Sequence, residues 1–291
     1  MVTSAIPQRR NEPLAPYTTF GIGGAADYFF EPRDVHELKH ACRLAHALCE
    51  DVRVLGGGSN LLISDDGVRA AVISMRRFEP RLVEVQGEAV VYVSAGVKLT
   101  RLVHRCAEWG LSGLECLAGI PGTVGGAIAM NAGGSAGTIG MRTLWLELMT
   151  PDGSLRSVDA DEVAWGYRHV KLDRSLVAFA ALELQPAPPE EIFERMDAFL
   201  GKKSAAQPLS VRSAGCFFRN PAGDYAGRLV DSAGLKGRRV GGAMVSRKHA
   251  NFLINRGDAT AHDVLELVRE VRKAVLEQFH VELENEVHCW L

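Results

Sequence analysis

Apolar side chains recur at Val35, Leu38, Cys42, Ala45 and Cys49, the spacing of one helical face, behind an Asp34–Glu37 pair with the form of a capping box. The longest stripe is Val264, Leu267, Val268, Val271, Val275 and Phe279, with Glu and Arg opposite, and predicts a helix over 262–279. Ile192, Phe193, Met196 and Leu200 predict another over 190–203. Thr100 reads as the cap of a helix reaching 108 and closed by Gly110, and 226–233 reads as helical. Short apolar or alternating runs predict strands at 26–31, 52–55, 70–75, 81–86, 89–95, 143–150, 155–158, 178–185 and 250–255. Pro151-Asp152-Gly153 marks a hairpin turn between two of them. Residues 281–287 alternate as a last strand, placing Glu282, Glu284 and Glu286 on one face. The segment up to Pro16 is polar and reads as a surface arm. Gln185-Pro186-Ala187-Pro188-Pro189 breaks the pattern and marks a domain boundary. The fold class that results is α+β.

Two glycine runs interrupt this pattern. Gly56-Gly57-Gly58-Ser59-Asn60 follows the strand at 52–55, and residues 113–134 hold seven glycines around Ile120-Pro121-Gly122. Glycine at this density means positive φ angles or direct backbone contact with something. Thr123-Val124-Gly125-Gly126-Ala127 is expected to open a short helix whose bare N–H groups face an anion. Each run alone reads as a sharp turn; the two together point to a nucleotide cofactor. Neither a G-x-G-x-x-G after a strand nor a G-x-x-x-x-G-K-[ST] is present, so no standard dinucleotide or P-loop motif applies.

Composition narrows the class. The 291 residues are 47% hydrophobic and 23% charged, ordinary for a globular chain long enough for two or three domains. A net charge of −2 offers no footprint for nucleic acid, and no apolar run spans a bilayer. The N-terminus lacks the order of a secretory signal. Cys42, Cys49, Cys106, Cys116, Cys216 and Cys289 form no C-x-x-C pair, which predicts reduced thiols in a cytoplasmic protein, and the histidines show no metal-ligand spacing.

The motifs themselves are recognisable. TTFGIGG at 18–24, LGGGSNLL at 55–62 and GIPGTVGGA at 119–127 closely resemble the UDP-N-acetylenolpyruvoylglucosamine reductase family. The likeness continues through Asn131-Ala132-Gly133, Trp165-Gly166-Tyr167-Arg168, residues 213–221, Lys248-His249-Ala250-Asn251 and Leu283-Glu284-Asn285-Glu286-Val287, in the family's order. It implies a two-lobed FAD-binding fold of the vanillyl-alcohol-oxidase (PCMH) type with a C-terminal α+β substrate domain. The implied division is 1–78 and 79–187 for the lobes, 188–280 for the substrate domain, and 281–291 for a strand returning Glu286 to the site. No long insertion follows Arg168, as in the shorter, loop-lacking branch of the family.

The resemblance further implies non-covalent FAD, NADPH as co-substrate, a UDP-sugar substrate of peptidoglycan synthesis, and a cytoplasmic monomer. Gly56, Gly57, Gly58, Ser59, Asn60, Leu61, Ile120, Pro121, Gly122, Thr123, Gly125, Gly126, Ala127, Asn131 and Ala132 are carried over as cofactor contacts. Arg168 is carried over as the group polarising the substrate carboxylate, Glu286 as its companion, and Cys216 as proton donor where the family usually has serine. Tyr167, Arg219 and Asn220 are implied substrate contacts, Arg219 standing where the family has lysine. Lys202 or Lys203 is a further candidate for the UDP phosphates, and Lys248 and His249 match a motif without an assigned role. From the residues alone, the favoured readings are a surface arginine for Arg168, an inert buried thiol for Cys216 and a solvated edge for the glutamates. A different FAD oxidase of this fold, acting on a sugar or alcohol, is the alternative reading.

Overall fold

The structure is a computed structural model that describes residues 6–85 and 89–291. Residues 1–5 of the predicted arm and Gln86 at a predicted strand end lie outside the described residues. Six α-helices are present among them: α1 (Val35–Leu48), α2 (Leu99–Glu108), α3 (Val124–Ala129), α4 (Pro189–Ala206), α5 (Ala226–Ser232) and α6 (Ala261–Phe279). The chain forms two compact units.

The first unit takes the described part of residues 1–10 together with 27–57 and 70–202. Val52–Leu55 runs parallel to Val68–Ser74, with Val52 opposite Ala71 and Leu55 opposite Ser74. In the full sheet Val68–Ser74 lies between Val52–Leu55 and Ala25–Phe30, with Gln8–Pro13 outermost. The N-terminal segment is therefore a strand, not a surface arm; Arg9 is tied to Glu31 at 2.5 Å and lies over the Phe29 ring. A second sheet runs in the order Leu155–Asp159, Thr143–Met149, Leu176–Glu183, Val90–Ser94, Leu82–Val85, every pairing antiparallel. Leu176–Glu183 is central, and all of it up to Leu182 is buried. Phe78 and Phe179, both buried, meet with centroids 5.4 Å apart in the core that α1, α2 and α3 also cover.

Local signals are modified by tertiary partners. Asp34 does cap α1 by accepting the Glu37 N–H at 2.8 Å, but the Glu37 carboxylate reaches back to the N–H of Arg33 and not of Asp34. Helix α2 starts one residue before Thr100 and has no side-chain cap. Its first amide, that of Leu99, donates to the Gly122 carbonyl at 3.0 Å, so a tertiary bond replaces the cap. Gly110 closes α2 at φ +70°, as expected. The proline-rich segment is tethered: Gln185–Pro186 pairs with Leu111–Ser112, the Ala187 N–H donates to Gly110, and Pro189 opens α4 at the position where a missing N–H costs nothing.

The second unit takes residues 11–26, 58–69 and 203–291. Its sheet runs Arg212–Cys216, Phe252–Asn255, Ala243–Val245, Arg239–Val240. Helices α5 and α6 bury Leu229, Val230, Val264, Leu267, Val268, Val271 and Val275 together with Phe217 and Phe218. Thr260 and Asp263 form a full capping box on α6, and the Asp65 carboxylate adds bonds from the N–H groups of Ala261 and His262 at 2.8 and 3.1 Å. The predicted strand at 281–287 is displaced. The terminal strand is His288–Trp290, parallel to Leu61–Ile63. Leu283 and Val287, four residues apart, are the buried pair in the segment before it, so Glu282, Glu284 and Glu286 do not share one strand face.

Candidate active site

The two glycine loops touch. A Cβ on Gly57 would stand 2.5 Å from the Gly122 Cα, and one on Gly56 would stand 2.6 Å from the Thr123 Oγ1. Only bare backbone permits that approach. Among the described residues, the N–H groups of Gly56, Gly57 and Gly58 have no protein acceptor. Helix α3 behaves differently from the expectation of bare N–H groups. The Val124 N–H donates to Val97 (2.9 Å), that of Gly125 to Ala95 (3.0 Å) and that of Gly126 to the Thr123 hydroxyl (3.4 Å). The start of α3 is stitched to residues 95–97, where a Cβ on Gly125 would lie 2.7 Å from the Ala95 Cβ. An anion at this junction would meet the loop at Gly56 and the turn ahead of α3, since the first amides of the helix itself are engaged. Beside this close backbone contact, the N–H groups of Gly56, Gly57 and Gly58, left without an acceptor among the described residues, are the donor set an anion needs, and they fit the diphosphate of FAD.

Asn131 sits just beyond α3 with φ +41°. Its side-chain amide donates to the Gly166 carbonyl at 3.1 Å and its carbonyl accepts from Gly140 at 3.2 Å. Ala132 donates to Ala127 at 2.7 Å, closing the same turn. Asn131 thereby holds a hairpin, Trp165–Gly166 against His169–Val170, whose tip is Tyr167-Arg168. That structural role was not legible in the sequence. Arg168 takes φ +56°, a left-handed conformation that costs a non-glycine residue on the order of 1 kcal/mol. Its Nη1 donates to the Gly133 carbonyl at 2.8 Å, and its guanidinium carbon lies 5.3 Å from the centroid of the Tyr167 ring. Strain of this kind persists where the surroundings over-determine a side-chain position.

In the second unit, Cys216 ends the strand Arg212–Cys216 opposite Phe252. An irregularity between Ser213 and Cys216, with Gly215 at φ +81°, re-aims the chain there. The thiol is half-buried against Met244, Phe252 and Ile254. The next residues turn to a second partner. Phe217 accepts the Glu286 N–H at 2.8 Å, Arg219 donates to Glu284 at 2.9 Å, and Phe218 bridges Asn285. Cys216 and Glu286 are thus carried on neighbouring extended segments. Asn60 ties the same place to the glycine loop: its side chain donates to the Glu286 carbonyl at 3.2 Å, and its own carbonyl accepts from His288 at 3.1 Å. Arg168 belongs to the first unit, Cys216 and Glu286 to the second.

Arg219 keeps its Nε buried without an acceptor, while an Nη stands 3.9 Å from Glu284. An arginine N–H lacking a partner is the kind of group an anionic ligand satisfies. The Asn220 side-chain Oδ1 accepts the Ala226 N–H at the start of α5 (3.1 Å). Nearby, His249 accepts the Asn251 N–H on Nδ1 and meets Phe252 edge-on. Burial, and then the Lys236 charge, hold this imidazole below its ordinary pKa. Asn251 is buried and binds the backbone on both sides of Phe218, which no sequence signal beyond its place in the Lys248-His249-Ala250-Asn251 motif marked out.

Comparison with known proteins gives a consistent set of relatives. Residues 207–290 match the model described as UDP-N-acetylenolpyruvoylglucosamine reductase, C-terminal domain, and residues 26–159 match an FAD binding domain. The chain is 44% identical over 281 residues to the UDP-N-acetylenolpyruvoylglucosamine reductase of Moorella thermoacetica, covering 96% of this chain and 92% of that one. It is 43% identical to a second such reductase from Symbiobacterium thermophilum, covering 97% and 92%. The crystal structure of the reductase from Thermus caldophilus superposes with a TM-score of 0.83 at 40% identity, covering 99% of both chains.

Proposed function

The chain belongs to the UDP-N-acetylenolpyruvoylglucosamine reductase family, an FAD oxidoreductase family of peptidoglycan synthesis, and from that premise we propose how its own residues carry the reaction. The substrate is UDP-N-acetylglucosamine enolpyruvate, the product UDP-N-acetylmuramate and the reductant NADPH. Bound FAD would supply the hydride chemistry that links NADPH to the terminal carbon of the enolpyruvyl double bond. Gly56 to Asn60 and Ile120 to Thr123 would hold its diphosphate and neighbouring groups, a reading supported by the Gly56, Gly57 and Gly58 N–H groups that find no acceptor among the described residues.

Addition at the terminal carbon leaves negative charge on the carbon bearing the carboxylate. Arg168 stabilises that charge by gripping the carboxylate with its planar fork, the Gly133 carbonyl and the Tyr167 ring steadying the guanidinium. Cys216 Sγ gives its proton to the carbon, and solvent restores it afterwards. A thiol, with an ordinary pKa of about 8.5, is a far stronger acid than the serine hydroxyl that usually stands there. Glu286, on the segment bonded to Phe217, shapes the field in which that proton moves. The Arg219 guanidinium and the Asn220 amide meet the substrate's diphosphate and sugar. The enzyme works as a cytoplasmic monomer, the compartment supported by six scattered cysteines without a C-x-x-C spacing.

The observation that carries this reading is the Glu286 N–H donated to the Phe217 carbonyl, which brings the segments of the proton donor and the carboxylate together. The test is anaerobic. Flavin reduced by NADPH is mixed with UDP-N-acetylglucosamine enolpyruvate, and reoxidation with formation of UDP-N-acetylmuramate is expected. A reduced flavin that persists in the presence of the substrate excludes the assignment.

A further inference from the structure

Asn251 lies two residues past His249, in a turn that ends where the strand Phe252–Asn255 begins. It is buried and its polar groups converge on one short piece of chain. The Asn251 main-chain carbonyl accepts the Phe217 N–H at 2.7 Å. Its side-chain Oδ1 accepts the Phe218 N–H at 2.9 Å, and its Nδ2 donates to the Phe218 carbonyl at 2.8 Å. Three bonds from one residue therefore fix the two residues that follow Cys216. The remaining backbone groups of that piece are held from the other side, Phe217 C=O by the Glu286 N–H and Arg219 N–H by the Glu284 carbonyl. The segment after Cys216 is clamped between Asn251 and the Glu284–Glu286 stretch.

The side chain matters because a strand ladder alone cannot do this. Regular pairing with Phe252–Asn255 stops at Cys216, and its register is already irregular between Ser213 and Cys216. Beyond that point the chain must leave one neighbour and join another, and an amide side chain supplies the donor and acceptor that the lost strand partner would have given. No aliphatic residue can replace both bonds, and a carboxylate can replace only the acceptor.

We propose that Asn251 is a positioning residue for protonation: its carboxamide clamp on Phe218 sets the relative placement of Cys216 and Glu286. The proposal rests on the assignment of Cys216 and Glu286 given above. It deepens that assignment by adding a residue that acts through the backbone and does not touch the substrate.

The experiment separates the two half-reactions in FAD-loaded enzyme. In N251L the rate constant for reoxidation of reduced flavin by UDP-N-acetylglucosamine enolpyruvate falls about 100-fold, the size of effect a small misplacement of a reacting group produces. In N251D, which keeps the acceptor, it falls about 10-fold by the same argument. Reduction of the flavin by NADPH and the bound FAD content stay within about two-fold of wild type in both. Equal loss in the two half-reactions, or unchanged reoxidation, overturns the proposal. If N251L does not fold, N251D decides alone. Wild-type enzyme that fails to reoxidise its flavin with this substrate rejects the functional assignment instead, so the two failures are distinguishable.

Discussion

The Glu286 N–H donates to the carbonyl of Phe217 at 2.8 Å, joining a residue near the C-terminus to the one that follows Cys216. A single backbone bond of this sort contributes roughly 1 kcal/mol net. Its importance here is geometric, since it joins the backbone segments that carry Cys216 and Glu286.

If Cys216 is the proton donor, C216A keeps flavin reduction by NADPH and loses reoxidation by the enolpyruvyl substrate by about 100-fold or more, within the range general-acid catalysis supplies. C216S restores part of that rate, because a hydroxyl in the same place still offers a proton. Stopped-flow absorbance of the flavin reads both steps. Full turnover in C216A removes Cys216 from the chemistry.

Gly57 and Gly134 make a matched pair for the cradle. A Cβ at Gly57 meets the Gly122 Cα at 2.5 Å, while one at Gly134 meets nothing within 4 Å. G57A is expected to cost about 1–3 kcal/mol by overpacking and to purify with little flavin. G134A is expected to stay yellow. Flavin absorbance per protein and the thermal midpoint check both; a G57A protein that retains full FAD places the cofactor elsewhere.

R168K keeps charge while losing the planar fork and the contact with the Gly133 carbonyl. Reoxidation of the flavin by substrate drops about 100-fold, in line with removal of one donor from a developing negative charge. The urea midpoint moves little, since the side chain is only half-buried. A variant with wild-type kcat shows that Arg168 serves the hairpin alone.

Alkaline pH gives an independent check on packing. Burial pushes the Cys42 thiol up from 9.0 to about 12. The unfolded chain loses this proton first, so between those values the folded state binds more protons and stability declines as pH rises. The slope approaches 1.4 kcal/mol per pH unit, and the contribution is fully present below about pH 9. C42A lacks this alkaline loss, so its stability deficit against wild type shrinks between about pH 8 and pH 10 in urea titrations. A constant deficit means Cys42 does not titrate in that range.

Several features were legible before any coordinates. The periodic stripes of α1 and α6 mark helices because an amphipathic face repeats within the segment itself, and Gly110 marks a helix end because few other residues take φ +70°. The motif series pointed to the family, which the relatives show. The missed features share one cause, a partner distant in the chain. Thr100 looks like a cap by local rule, yet Leu99 finds its acceptor at Gly122. Val281 to Val287 alternates like a strand, yet the edge available for pairing, Leu61–Ile63, lies in register with His288–Trp290.

Composition and spacing dictate where this chain turns helical and where it needs bare backbone, because those depend on neighbours within a few residues, while the chemistry was legible only through the family's motifs. Long-range hydrogen bonding alone decides that the amides of Val124 and Gly125 are already engaged, that Asn131 braces the Arg168 hairpin, and that Asn251 grips Phe218. Each of these satisfies a backbone group with a partner no local pattern can name.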